Sequence, residues 1–248
     1  MMEAFFRLDM KAAAQVGGCP ICAIIVLRTE RYLRFFLHEH VLDPHLRLRL
    51  LASYGFCNLH GWWLVQIAAK IGEELGVATV YEHLTDELRH QVQRALAASS
   101  PKAASESLRP QEICPLCEHA ETWEQDTLAA LLQALANPQT RESAQQLYAE
   151  TDGLCLPHLR CALLMTNEND VAAFLLQDAN SRLQRLHDDL EEFCRKHDYR
   201  FHDEPMSESE RCSWVRAIEA FVGKHAIPHE RADQTSTRRR LRRWLKLG

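Results

Sequence analysis

The residues best suited to chemistry are cysteines, and they form a pattern. Nine cysteines stand at positions 19, 22, 57, 114, 117, 155, 161, 194 and 212. The first six combine with two histidines into two similar sets. One reads Cys19-Pro-Ile-Cys22 and then Gly55-Phe-Cys57-Asn-Leu-His60. The other reads Cys114-Pro-Leu-Cys117 and then Gly153-Leu-Cys155-Leu-Pro-His158. Cys19 to Cys114 and Cys22 to Cys117 both span 95 residues, and Cys57 to Cys155 and His60 to His158 both span 98. Equal offsets at four pairs of positions indicate a duplicated supersecondary unit.

Three thiolates and an imidazole form a Cys3His set, a common tetrahedral zinc site. C-x-x-C brings two sulfurs to one ion from a single turn. C-x-x-H does the same from a second turn, expected at a helix N-terminus, where the dipole favours the thiolate. The simplest assignment keeps each ion within one repeat. One zinc would bind Cys19, Cys22, Cys57 and His60, the other Cys114, Cys117, Cys155 and His158. Iron–sulfur ligation and a redox dithiol are the rival chemistries. No βαβ pattern surrounds either C-x-x-C, which counts against the dithiol. C-x-x-C-H does not occur at either motif, so covalent haem is excluded. Four protein ligands leave no open position for water, so both sites read as structural rather than catalytic.

Helices must position these ligands. Ile21, Ile24, Ile25, Leu33, Phe36 and Leu37 recur at helical spacing over 20–40. Asp43-Pro44 marks a helix start for 44–53, and Asn137-Pro138 marks the equivalent start for 138–149. Leu64, Ile67, Ile71 and Leu75, followed by Val80, Tyr81, Leu84, Leu88 and Val92, predict one long helix over 58–97 or two joined near Gly76. Further helices are expected at 115–136, 156–166, 169–198 and Trp214–Val222. In the last long helix, Leu183, Leu186, Leu190, Phe193 and His197 form the packing stripe. The fold class is all-α: two related helical repeats, each closed by a Cys3His zinc knuckle, with a C-terminal helix and extension. The expected divisions are 1–98 for the first repeat, 99–111 for an Ala/Ser/Pro-rich linker, 112–200 for the second repeat, and 201–248 for a polar segment, short helix and basic tail.

With the helix order in place, the motifs resemble an uncharacterised prokaryotic family known only as a domain of unknown function. The resemblance rests on the C-P-x-C and G-x-C-x-x-H order. It rests also on Phe193-Cys-Arg-Lys-His-Asp-Tyr-Arg200, Asp203-Glu-Pro205 and Arg216-Ala-Ile218. It covers roughly residues 13–224. It implies an intracellular helical protein with two Cys/His knuckles and a D-Y-R…D-E-P segment, and it carries no activity. Met206-Ser207 replaces the Trp-Gly-like turn expected after D-E-P.

Net charge is −5, and without the six cations Arg238, Arg239, Arg240, Arg242, Arg243 and Lys246 the rest carries −11. Such an acidic body is a poor nucleic-acid binder, because phosphate contacts need cations. The basic tail places Leu241, Trp244 and Leu245 on one face, which suits an anionic membrane surface or another polyanion. Its simpler reading is a solubilising end. Odd cysteine count and a poor signal peptide predict a cytoplasmic protein without a disulfide framework.

Other candidates are weaker. Glu87-Leu-Arg-His90 is a lone E-x-x-H, whereas di-iron bundles need two. His38-Glu39-His40 lacks zinc-protease spacing. Cys161, Cys194 and Cys212 read as packing or bystander thiols. Asp198, Tyr199, Arg200, His202, Asp203 and Glu204 form a polar cluster that could bind a ligand or partner, or could simply pin the loop to the bundle. The functional expectation is a zinc-binding interaction or adaptor module with a protein partner. A thiol-based redox or metal-handling protein is the alternative.

Overall fold

The structure is a computed structural model that describes residues 2–224, with side chains from residue 6. Among these residues there are helices and turns and no strand. The order is α1 (Met2–Val16), α2 (Pro20–Phe35), α3 (Pro44–Ala52), α4 (Asn58–Ile71), α5 (Glu74–Leu96), α6 (Pro101–Ser107), α7 (Pro115–Ala136), α8 (Arg141–Ala149), α9 (Leu156–Met165), α10 (Asn169–Lys196) and α11 (Glu208–Val222). A wider π-type turn, Phe36–His40, extends α2 and buries Phe36 and Leu37.

Local signals explain most boundaries. Asp43 Oδ1 accepts from the Leu46 amide at 2.8 Å and Pro44 opens α3, as expected of a capped start. The matching expectation at Asn137-Pro138 fails by one turn. The Asn137 amide still donates to the Gln133 carbonyl and so belongs to the end of α7. Its side chain caps Gln139, and α8 begins only at Arg141. The expected joint near Gly76 lies instead at Gly72, where α4 ends in a left-handed residue. Gly76 sits inside α5, and a Cβ there would meet Val41 at 3.2 Å.

Three further helical features differ from expectation. α1 has no counterpart in the expected elements. The 99–111 linker contains a short helix, α6, because Ser100 accepts from the Ala103 amide and Pro101 takes the first position. α11 starts well before Trp214, since Ser207 and Glu210 form a reciprocal capping box.

The chain divides into two compact units. The first is Met1–Ile24 with Glu124–Gly248, and the second is Ile25–Trp123. These do not follow the expected 1–98 and 112–200 divisions, and both boundaries fall inside helices, α2 and α7. Within the second unit Leu33, Phe36, Leu37, Leu50, Leu64, Ile67, Val80 and Leu116 form one buried cluster. Phe36 and Phe56 meet there edge to face at 5.4 Å. In the first unit the buried positions include Met10, Ile21, Ile24, Leu128, Leu131, Leu135, Tyr148 and Leu175.

Within that first unit, α10 and α11 form a hairpin. Only part of the expected α10 stripe is used. Leu186 is buried, whereas Leu183 is 49% exposed and His197 lies at the surface. The other buried positions of α10 are Val171 and Leu175, nearer its start.

Candidate metal centres

Each ligand pair occupies the start of a helix. Cys57 and Cys155 are the residues before α4 and α9, with nearly equal backbone angles (φ −62°, ψ 170° and φ −67°, ψ 161°). The Cys57 carbonyl accepts from Gly61 and the Cys155 carbonyl from Leu159, both at 2.8 Å. Cys19 and Cys114 stand likewise before Pro20 and Pro115, the first residues of α2 and α7. The second ligand of each pair is three residues on, which turns it to the same side of the helix as the first. The motif glycines have a matching role. Gly55 and Gly153 adopt φ of +86° and +79°, a left-handed conformation that L side chains rarely take.

The pairing of these half-sites overturns the within-repeat assignment. Cys19, Cys22, Cys155 and His158 form one group, and Cys57, His60, Cys114 and Cys117 form the other. Each C-P-x-C therefore meets the G-x-C-x-x-H of the opposite set. The first centre joins α2 to α9 across sequence separations of 133 to 139 residues. The second joins α4 to α7 across 54 to 60. Each centre lies wholly within one compact unit. The physical reason is that the two half-sites of a kind are chemically equivalent. Helix packing, rather than spacing, selects which of them face each other.

Distances within both groups match a single tetrahedral ion. In the first, His158 Nδ1 lies 3.4 Å from Cys19 Sγ, 3.4 Å from Cys22 Sγ and 3.1 Å from Cys155 Sγ, with Cys22 and Cys155 sulfurs 3.8 Å apart. In the second, His60 Nδ1 lies 3.4 Å from Cys57, 3.5 Å from Cys114 and 3.4 Å from Cys117, with Cys57 and Cys117 sulfurs 3.5 Å apart. Ordinary zinc bond lengths require tetrahedron edges of about 3.8 Å between sulfurs and about 3.6 Å between sulfur and nitrogen. The donor set therefore fits a metal ion at both centres.

The donors of each group perturb one another's protonation. At His60 burial alone would lower the imidazole, but the Cys114 and Cys57 sulfurs outweigh it and raise the group to about 9. At His158 burial also opposes, and Cys19 and Cys155 again drive it well above its ordinary value. Hydrogen bonds from Cys114 and Cys117 lower Cys57, while Cys117 is raised chiefly by its bonds to Cys114 and Cys57. Burial presses Cys19 upward, yet bonds from Cys155 and Cys22 and the His158 charge leave it well below the ordinary thiol value. Cys22 is raised, first by Cys155 and Cys19. These are proton-sharing sets of the kind a metal displaces.

A residue absent from the sequence expectations completes the first centre. Glu124 Oε1 stands 3.1 Å from His158 Nε2, with side-chain exposures of 16% and 0%. A carboxylate on the distal nitrogen fixes the ring so that Nδ1 faces the sulfurs. Nothing in the local sequence marks Glu124, one acid among several on α7.

Cys161 is half-buried and outside the four-donor groups, while Cys194 and Cys212 are exposed. Among the described residues no disulfide links any of them. His90 lies 3.6 Å from Asp86, and Glu87 takes Arg94 at 2.9 Å, so the E-x-x-H is a solvated helix face. His38 pairs with Glu73 and His40 with Asp43.

The polar cluster does not converge on one point. Asp198 binds Arg200 at 2.8 Å, His202 lies 3.1 Å from Asp203, Glu204 turns to Arg195 and Tyr199 is 82% exposed. Lys196 ties the loop to the Pro205 carbonyl and to Glu210. These contacts brace the α10–α11 turn. The basic residues Arg238, Arg239, Arg240, Arg242, Arg243 and Lys246 lie outside the described residues.

No single helix among the described residues is long and apolar enough to cross a membrane. Comparison with known proteins agrees with the sequence resemblance. A family of unknown function, DUF6062, matches residues 1–227. An "Uncharacterized 23.9 kDa protein in xynA 3'region" from Caldicellulosiruptor sp. (strain Rt8B.4) is 25% identical over 206 residues, covering 83% of this chain and 95% of that protein. No solved structure matches.

Proposed function

The chain belongs to the DUF6062 family, and from that premise we propose that it is a cytoplasmic zinc protein in which two structural ions hold a helical interaction module together. The observation that carries this reading is the tetrahedral spacing of four protein donors in each group. Zinc suits thiolate and imidazole ligands and has no geometric preference of its own. A polynuclear iron–sulfur cluster would spread its four protein donors over more than one iron, whereas all four donors of each group lie within 4.8 Å of one another, which favours a single ion. All four positions are taken by protein, so neither ion offers a place for substrate or water.

Support for the interaction role comes from α11. Trp214, Ile218 and Phe221 recur at i, i+4 and i+7 and are 57%, 60% and 63% exposed. Exposed apolar rows of this kind mark protein contact surfaces. The basic tail is retained as a contact for anionic surfaces, in keeping with its charge and its Trp244 face.

The deciding experiment is metal content of the protein purified without added metal. Two zinc ions per chain are expected. A chain without metal whose C-P-x-C pairs cycle between dithiol and disulfide, with the fold intact, would replace this reading with the thiol-redox one.

A further inference from the structure

The two centres share ligands and helix geometry but differ in their access to solvent. All four donors of the first are buried, from 0% exposed at Cys22 and His158 to 5% at Cys19. Its histidine is held at both ring nitrogens, by the sulfurs on one side and by Glu124 on the other. In the second centre His60 and Cys114 are buried, but Cys57 and Cys117 are only half-buried. Those two sulfurs are also neighbours, 3.5 Å apart, one from α4 and one from α7. The second group therefore has two adjoining sulfurs on half-buried cysteines, and the first has no ligand residue so open.

Access governs exchange at zinc. The ion can expand to five-coordinate, so an incoming donor can bind before a thiolate leaves. That route needs an approach to the ion between its ligands. An accessible thiolate is also the one that soft electrophiles reach. A carboxylate on the far nitrogen of a metal-bound histidine raises the basicity of that histidine and tightens the ion it serves.

We propose that the second centre is the exchange point of this protein. Its ion enters, leaves and passes to soft chelating acceptors across the Cys57–Cys117 edge, while the first centre releases its ion at least about 10-fold more slowly. This rests on both groups holding zinc.

The full zinc-loaded chain is the test material, with a pyridylazo-resorcinol chelator as acceptor and iodoacetamide as thiol probe. Zinc release should occur in two phases separated by at least about 10-fold in rate, the scale on which a partner of a ligating histidine changes metal affinity. Protein stopped after the fast phase should retain one zinc by native mass spectrometry. Peptide mapping should then find carbamidomethyl groups on Cys57 and Cys117, each thiolate displacing iodide, with Cys19, Cys22 and Cys155 unmodified. Glu124→Gln should accelerate only the slow phase, by about 10-fold or more. Single-phase release, or early alkylation of Cys19, Cys22 or Cys155, overturns the proposal while leaving two-zinc binding intact. A chain that binds no zinc overturns the functional reading as well.

Discussion

The metal centres and the α10–α11 hairpin hold helices together by different physics. In each Cys/His group, four side chains from two helix starts lie within 4.8 Å of one another and could hold one ion. Structural zinc contributes on the order of 10–16 kcal/mol in small peptides, as much as a whole domain's stability. In the hairpin, the joint is spread over many weak links. Asp189 takes Arg216 and Ser209, Lys196 takes Glu210, and a capping box starts α11. The Asp189–Arg216 pair is partly open to water and adds little, and the more enclosed Lys196–Glu210 pair is one link among several. Failure at a centre should therefore be abrupt, and failure in the hairpin gradual.

The largest effect breaks the cross-pairing directly. Cys22→Ser and Cys155→Ser should each lose the same single zinc, and combining them should cost no second ion. Cys22→Ser with Cys57→Ser should lose both. Thermal unfolding should fall steeply in each case. If Cys22→Ser with Cys57→Ser retains one zinc, the within-repeat pairing is restored.

Proton linkage is next in size. Burial lowers the His60 imidazole, but the Cys114 and Cys57 sulfurs outweigh it and raise the group to about 9. A raised histidine contributes stability below its unfolded value, about 6.5, and that contribution is lost as pH rises through about 9. Zinc reverses the dependence, because binding must displace the His60 proton and deprotonate the thiols. Zinc binding at pH 7 should thus release protons, measurable as a buffer-dependent calorimetric heat. Affinity should fall on acidification. Equal heats in buffers of different ionisation enthalpy would contradict the linkage.

The hairpin effects are smaller. Ser207→Ala removes the side-chain acceptor at the start of α11 and should cost about 1 kcal/mol, with both zinc ions retained. Loss of a metal ion on this substitution would show that hairpin and centre are not independent. Smallest of all, deletion of residues 230–248 should leave zinc content and melting temperature unchanged. It should abolish binding to acidic vesicles at low salt. An unbound full-length chain would return the tail to a solubilising end.

Much of the site was legible from one dimension. Thiolate and imidazole ligands are chosen three residues apart, within one helical turn, so Cys19-x-x-Cys22 and Cys57-x-x-His60 declare themselves locally. The same holds for the Asp43-Pro44 start of α3, where side chain and ring act within four residues. Asn137-Pro138 looked equivalent but did not start α8, because the end of α7 claimed the Asn137 amide first.

The amino-acid sequence by itself determined the ligand inventory, the helical class and the number of centres it can form. Only the tertiary structure decided which half-sites meet, which centre is sealed, and that Glu124 stands behind His158. Ligand type and spacing are properties of a single turn, and two identical turns carry no label naming their partner. The partner is set by packing within each unit; in the second, Leu64 of α4 and Leu116 of α7 are distant in sequence yet share one buried cluster.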